Sequence, residues 1–128
     1  MEYLKTRAKE FWENAAELKE KKKYNLSAFN LEQACQLWLK YLIGKKIGEF
    51  PKTHYFNELI SDFAEVYKRK EILDYYKQNE LFFDVLEDAY FTSRYYPKNF
   101  SQNLIEKLFE ESENFIKNTE KITEKQFF

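Results

Sequence analysis

Few residues in this chain are equipped to do chemistry. Arg94 stands in the run Arg94-Tyr95-Tyr96-Pro97, His54 is the single histidine, and lysines cluster at 21 to 23, at 45 and 46, and at 68 to 70. A guanidinium is permanently charged and grips phosphate through a fork of donors, so Arg94 is a candidate phosphate or nucleotide contact. The competing reading is structural, because an arginine at a helix end also bonds the last carbonyls and complements the dipole. His54 can take up a proton near neutral pH, yet a lone histidine beside a helix cap also serves as a packing residue. Tyr95, Tyr96 and the nearby Tyr90 can stack a base, or fill a core or a dimer interface. Each lysine cluster falls at an expected helix C-terminus, where the macrodipole alone accounts for it. One cysteine and one histidine cannot supply four zinc ligands. No glycine-rich phosphate loop or serine-nucleophile motif occurs, and no metal or cofactor is expected.

These residues must be positioned by helices. A chain of 128 residues fits one domain spanning 1–128, and its two glycines and two prolines argue for long regular elements. One residue in five is aromatic, so a few large side chains can supply most of the buried area. The expected class is all-α. A net charge of −1 gives no overall pull towards nucleic acid or membrane, so any basic site must be local. Cys35 falls on an apolar helix face and reads as a structural thiol. No apolar run is long enough to cross a bilayer, and Met1 to Phe11 has no signal-peptide core. A cytoplasmic location is expected.

Periodicity predicts five helices. The first runs from Tyr3 to Lys22 with Leu4, Ala8, Phe11, Trp12, Ala15 and Leu18 on one face. The second, Asn25 to Gly48, is apolar most of the way round and belongs at the centre, with Asn25 or Ser27 as its cap. Within it, Glu32, Gln33 and Lys40 read as buried packing or dimer contacts. Thr53 is the expected cap of the third helix, which Lys68 to Lys70 close. The segment 71–79 either continues as helix or bends. The fourth helix covers Leu81 to Thr92 and must end before Pro97. The fifth follows a cap at Asn99 or Ser101, and the end, 120–128, is expected to fray unless Phe127 and Phe128 dock on a partner.

Short connections favour antiparallel neighbours, hence an antiparallel up-and-down bundle of four to five helices. In that topology Lys45, Lys46, Lys52, His54, Arg94 and Lys98 would gather at one end.

Three stretches of the chain resemble a HEPN domain (higher eukaryotes and prokaryotes nucleotide-binding). Ala28 to Ala34 followed by Leu39-Lys40-Tyr41-Leu42 is similar to that family's second-helix pattern. Thr53-His54 followed by Glu58-Leu59-Ile60 resembles its Thr-His start to the third helix. Arg94-Tyr95-Tyr96-Pro97 resembles its Arg-Tyr-Pro end to the fourth. The resemblance implies a bundle that dimerises, and in many relatives an arginine and a later histidine form a metal-independent ribonuclease site. Other relatives are partners of minimal nucleotidyltransferases in toxin–antitoxin pairs. Here no histidine follows Arg94, and Asn99, at the family histidine's spacing, cannot act as a base. The expectation is therefore a non-catalytic or weakly catalytic homodimer binding a nucleotide, RNA or a nucleotidyltransferase. Its ligand-contacting residues would be Arg94, Tyr95, Tyr96, Lys45, Lys46, Lys52 and Lys98. Two alternatives stand beside it: an active ribonuclease using Arg94 with His54, and a purely structural module in which the cations are only caps.

Overall fold

The computed structural model describes residues 1–128 apart from Lys98, and the side chain of Arg94 also lies outside the described residues. Two of the expected ligand contacts, the Arg94 side chain and Lys98, thus lie outside the described residues. Among the described residues the chain forms six helices and no strand: α1 Glu2–Glu20, α2 Tyr24–Ile47, α3 Phe56–Tyr67, α4 Glu71–Gln78, α5 Glu80–Tyr95 and α6 Gln102–Thr123. The all-α class holds, with one helix more than expected. The additional element is α4, in the segment left open between helix and bend. Its boundary with α5 is a single residue, Asn79, whose carboxamide donates to the Tyr75 carbonyl. Neither glycine nor proline marks that break, so periodicity alone does not reveal it.

α2 is the central rod, as its pattern requires. Leu31, Ala34, Cys35, Trp38, Leu39 and Leu42 are completely buried, and α1, α3, α5 and α6 all pack against it. Burial pushes the Cys35 thiol up to about 12, which leaves it an unreactive core group.

The direction of each helix can be read from its contacts. α1 runs antiparallel to α2, because Ser27 donates to the Ala15 carbonyl near one end while Lys45 pairs with Glu2 at the other. α5 is also antiparallel to α2. Tyr90 packs near Phe29, and Phe100, just beyond α5, donates its N–H to Asn25. α6 returns parallel to α2, so that Trp38 donates to Thr119 late in the helix.

α3 departs from the up-and-down expectation. Its far end meets the far end of α2, where Tyr67 donates to the Leu42 carbonyl. Its near end is tied to α5 by the Phe56 N–H on Glu87. α3 is thus parallel to α2. The connection that permits this is not a tight turn but the non-helical run 49–55. Seven extended residues can span about 23 Å, enough to carry the chain back along α2 before α3 starts.

Two of the expected helix caps are not observed, and a third is. α2 begins at Tyr24, and Asn25 does not cap it but bonds Asn99 and Phe100 across the α5–α6 turn. Thr53 does not cap α3; it lies two residues ahead of the N-cap position, Tyr55, and its hydroxyl accepts from the Tyr55 N–H and donates to Glu58. Of the two candidates for α6, Ser101 is the cap, accepting from the Leu104 N–H at 3.1 Å. Ser101→Ala is expected to lower stability by about 1 kcal/mol, read as a lower urea midpoint. An unchanged midpoint would deny the cap any energetic role.

The expected frayed tail is instead packed. Phe127 is buried against Trp12 and Trp38. The Glu120 carboxylate accepts from the N–H groups of Phe127 and Phe128, which holds the turn after α6 in place. No helix among the described residues is long and apolar enough to cross a membrane.

Candidate functional site

The parallel course of α3 redistributes the candidate residues. Lys45 pairs with Glu2 at 3.1 Å, and the Lys46 ammonium sits over the Tyr67 ring, both at the far end of α2. The α5–α6 turn lies at the opposite end, beside Asn25. Twenty residues of α-helix separate Asn25 from Lys45, a distance of about 30 Å. The six-residue basic end therefore does not form. Lys45 and Lys46 are not with Arg94, and the short-loop assumption that placed them there fails at residues 49–55.

His54, by contrast, reaches α5. Its ring stacks on Tyr90 with centroids 4.9 Å apart and planes 19° from parallel, and it also touches Tyr55 and Phe91. Arg94 follows Tyr90 by four residues in the same helix, one turn or about 6 Å along the axis. His54 lies ahead of α3, whose first residue is Phe56, so the helix dipole does not act on it as a first-turn residue. Among the described residues its ring makes aromatic contacts and no hydrogen bond.

What fixes the His54 segment comes from two helices. On one side the Glu87 carboxylate accepts from the Phe56 N–H at 2.7 Å. On the other, the Lys40 ammonium lies 3.5 Å from the Lys52 carbonyl. Lys52 thus enters the site through its backbone, with its side chain exposed.

Lys40 ends a buried polar ladder along α2. Gln33 and Gln36 each donate to one oxygen of Glu32, at 2.7 and 2.8 Å, and Lys40 donates to the Gln36 carbonyl oxygen at 3.0 Å. Residues four apart share a helix face, which is why 32, 36 and 40 can form a chain. The buried-packing reading of Glu32, Gln33 and Lys40 fits this geometry. Gln36 and Glu87 were not singled out from the sequence. Gln36 completes an i, i+4, i+8 polar row inside an apolar helix, and that row is the signal that could have found it.

Burial pushes the Glu32 carboxyl up to about 7, against the lowering effect of the two glutamine donors. Burial likewise holds the Lys40 ammonium below its usual range and raises Glu87, which the Phe56 N–H partly offsets. A carboxyl whose folded value exceeds its unfolded value keeps a proton that the unfolded chain has released. Its stability contribution is therefore present below about pH 4.5 and lost as pH rises through about 7. The difference is about 3 kcal/mol. Glu32→Gln should remove that slope and leave the protein more stable than the parent at pH 8, because the half-buried Gln33 amide can turn to accept from the new donor. Urea unfolding at pH 5 and pH 8 measures this, and an unchanged pH slope in the variant would exclude Glu32 as its source.

The α5 end is bordered by exposed aromatics. Tyr95 is 69% and Tyr96 62% exposed, with Tyr55 and Phe91 also open to solvent. Among the described residues no cluster of histidine, cysteine and carboxylate side chains could hold a metal ion. These rings offer exposed faces at this end of the bundle.

Comparison with curated proteins and with solved structures gave no match. Comparison with family models matched the HEPN domain over residues 1–124, a span that takes in the buried ladder, the His54 segment and the α5–α6 turn. With nearly the whole chain covered, this protein belongs to the HEPN family.

Proposed function

We propose that the chain is a non-catalytic, or only weakly catalytic, HEPN bundle that acts as a homodimer and holds a nucleotide or RNA at the end of α5. Arg94 is the phosphate contact in this reading, and Tyr95 and Tyr96 are the stacking groups. The observation that carries it is the run of open rings along the end of α5: Tyr55 and Phe91 border the His54–Tyr90 stack, and Tyr95 and Tyr96 are exposed where the helix ends. Every base has a ring face to lay on such a surface. Membership of the family supports a function related to nucleotides or RNA in general. Pairing with minimal nucleotidyltransferases is a general property of that family, so a nucleotidyltransferase partner in a toxin–antitoxin pair belongs to the proposal.

Binding is preferred to cleavage on chemical grounds. A general base needs a second group to fix its orientation. Among the described residues the His54 ring makes no hydrogen bond, only ring contacts and a through-space charge interaction with Glu87, and the sequence has no other histidine. Anisotropy of a labelled 15-nucleotide RNA tests the reading. Arg94→Ala should weaken binding roughly tenfold or more, as loss of charge-assisted hydrogen bonds does. Equal affinity in the variant, or no binding by the parent, would count against it. A monomer in sedimentation at micromolar concentration would remove the homodimer from the proposal.

One observation favours a second reading, an active metal-independent ribonuclease: His54 packs one turn from Arg94. Cleavage of a transfer RNA pool by the parent, lost in both Arg94→Ala and His54→Ala, would establish it over the first.

A further inference from the structure

The lysines at 21 to 23 have an explanation ready to hand, since cations suit the C-terminus of α1. That explanation covers Lys21 and stops there. α1 ends in a Schellman motif: the Lys23 N–H bonds the Leu18 carbonyl, and the Lys22 N–H bonds the Lys19 carbonyl. The residue after the cap in this motif is normally glycine, because it must adopt a left-handed conformation. Here it is Lys22, at φ +61°. Lys23 is the N-cap residue of α2, gives it no side-chain cap bond, and places a cation at the positive end of that helix. The first turn of α2 holds no acidic residue to offset it. Three adjacent like charges also repel one another. All three are exposed, and among the described residues none forms an ion pair. Local structure disfavours Lys22 and Lys23 where they stand, so a bound anion is the physical reason left for them.

The fold sets this corner beside the candidate site. Asn25 bonds both Asn99 and Phe100, and a cleft of about 370 Å³ between the two turns is lined by Lys22, Lys23, Tyr24, Asn25, Asn99 and Phe100. Tyr96 precedes Asn99 by three residues, so the chain keeps them within about 11 Å. The antiparallel expectation had joined Arg94 with Lys45 and Lys46; the observed topology joins its helix end with Lys21 to Lys23.

We infer that the α1–α2 corner is a second phosphate-binding surface, on which Lys21, Lys22 and Lys23 track the backbone of a single-stranded polynucleotide whose bases meet Tyr95 and Tyr96. The inference rests on the reading that the α5 end binds RNA, and it adds a second phosphate-contacting surface to that reading. Exposed rings beside the lysines favour a polynucleotide over a lipid surface or an acidic peptide, neither of which uses stacking.

The test is anisotropy of a labelled 15-nucleotide RNA between 50 and 200 mM salt, with the full chain as parent, a triple Lys21→Gln/Lys22→Gln/Lys23→Gln variant, and Arg94→Ala. Loss of three phosphate contacts on a single strand should reduce the slope of log affinity against log salt by about 2. Lys22→Gly supplies a readout that a structural role cannot mimic. It should raise the melting temperature by about 3 °C, as relief of left-handed strain does in a chain of this size, while weakening RNA binding. A triple variant with the parent's slope and affinity, alongside a weakened Arg94→Ala, would overturn this inference and leave the α5 site standing. No RNA binding by the parent would overturn both. Lysine-dependent binding to phosphatidylglycerol vesicles or to poly-glutamate, with RNA binding unaffected in the triple variant, would also overturn it and assign the corner to that other partner.

Discussion

Trp38→Ala is expected to lower the unfolding free energy by about 4 kcal/mol, the largest loss at any single position described above. Trp38 is completely buried at the middle of α2. Its ring stacks on Tyr41 at 5.4 Å and meets Phe127 edge-on at 5.1 Å. The indole N–H donates at 2.8 Å to the Thr119 hydroxyl, which in turn donates to the Ile116 carbonyl. Truncation removes the packed ring and leaves the Thr119 oxygen without its donor, so a cavity cost and an unpaired-polar cost act together. Trp38→Phe should recover most of the packing but not the hydrogen bond, leaving a deficit of about 1 kcal/mol. Urea midpoints for the three proteins separate the two contributions. Equal midpoints for Trp38→Phe and the parent would show that the indole hydrogen bond adds nothing.

Phe127→Ala is expected to cost about 3 kcal/mol, an effect that a frayed end could not produce. Phe127 is 1% exposed, wedged between Trp12 and Trp38, with Phe128 edge-on to it at 5.0 Å. It therefore joins α1 to α2 from beyond the last helix. A midpoint equal to the parent's would mean that the tail does not hold its place in solution. Because Trp38 and Phe127 touch, their losses should not add. The double variant should be more stable than the sum of the singles implies, since both truncations open one shared void.

The sequence made the central rod legible because its apolar residues recur on every face of α2, and no other arrangement buries them all. The family likeness was legible for a related reason. Glu32, Gln33 and Lys40 are polar groups inside that rod, and a polar group held in a core needs named partners. The partners themselves were not legible: Gln36 sits one turn away in the same helix, but Glu87 comes from α5 and acts on a backbone N–H of α3. Periodicity speaks of faces, not of which helix lies opposite. The same limit explains the misplaced lysines. Glu49 to Lys52 read as a short loop ahead of a cap at Thr53, and only the contacts of α3, Phe56 with Glu87 and Tyr67 with Leu42, show that it starts far from where α2 ends. Phe127 and Phe128 stood out as able to dock, but two phenylalanines after a helix have no period to say on what, and the burial of Phe127 depends on the pocket left by Trp12 and Trp38.

The proposed site for a nucleotide or RNA is the end of the bundle shared by the α5–α6 turn and the α1–α2 corner. Amide and histidine-ring NMR resonances followed through a titration with a 15-nucleotide RNA test it most directly. Shifts are expected at the His54 ring, at Tyr95 and Tyr96 and at residues 21 to 25, with Lys45 and Lys46, about 30 Å away along α2, unmoved. Shifts centred on Lys45 and Lys46, or none anywhere, would contradict it.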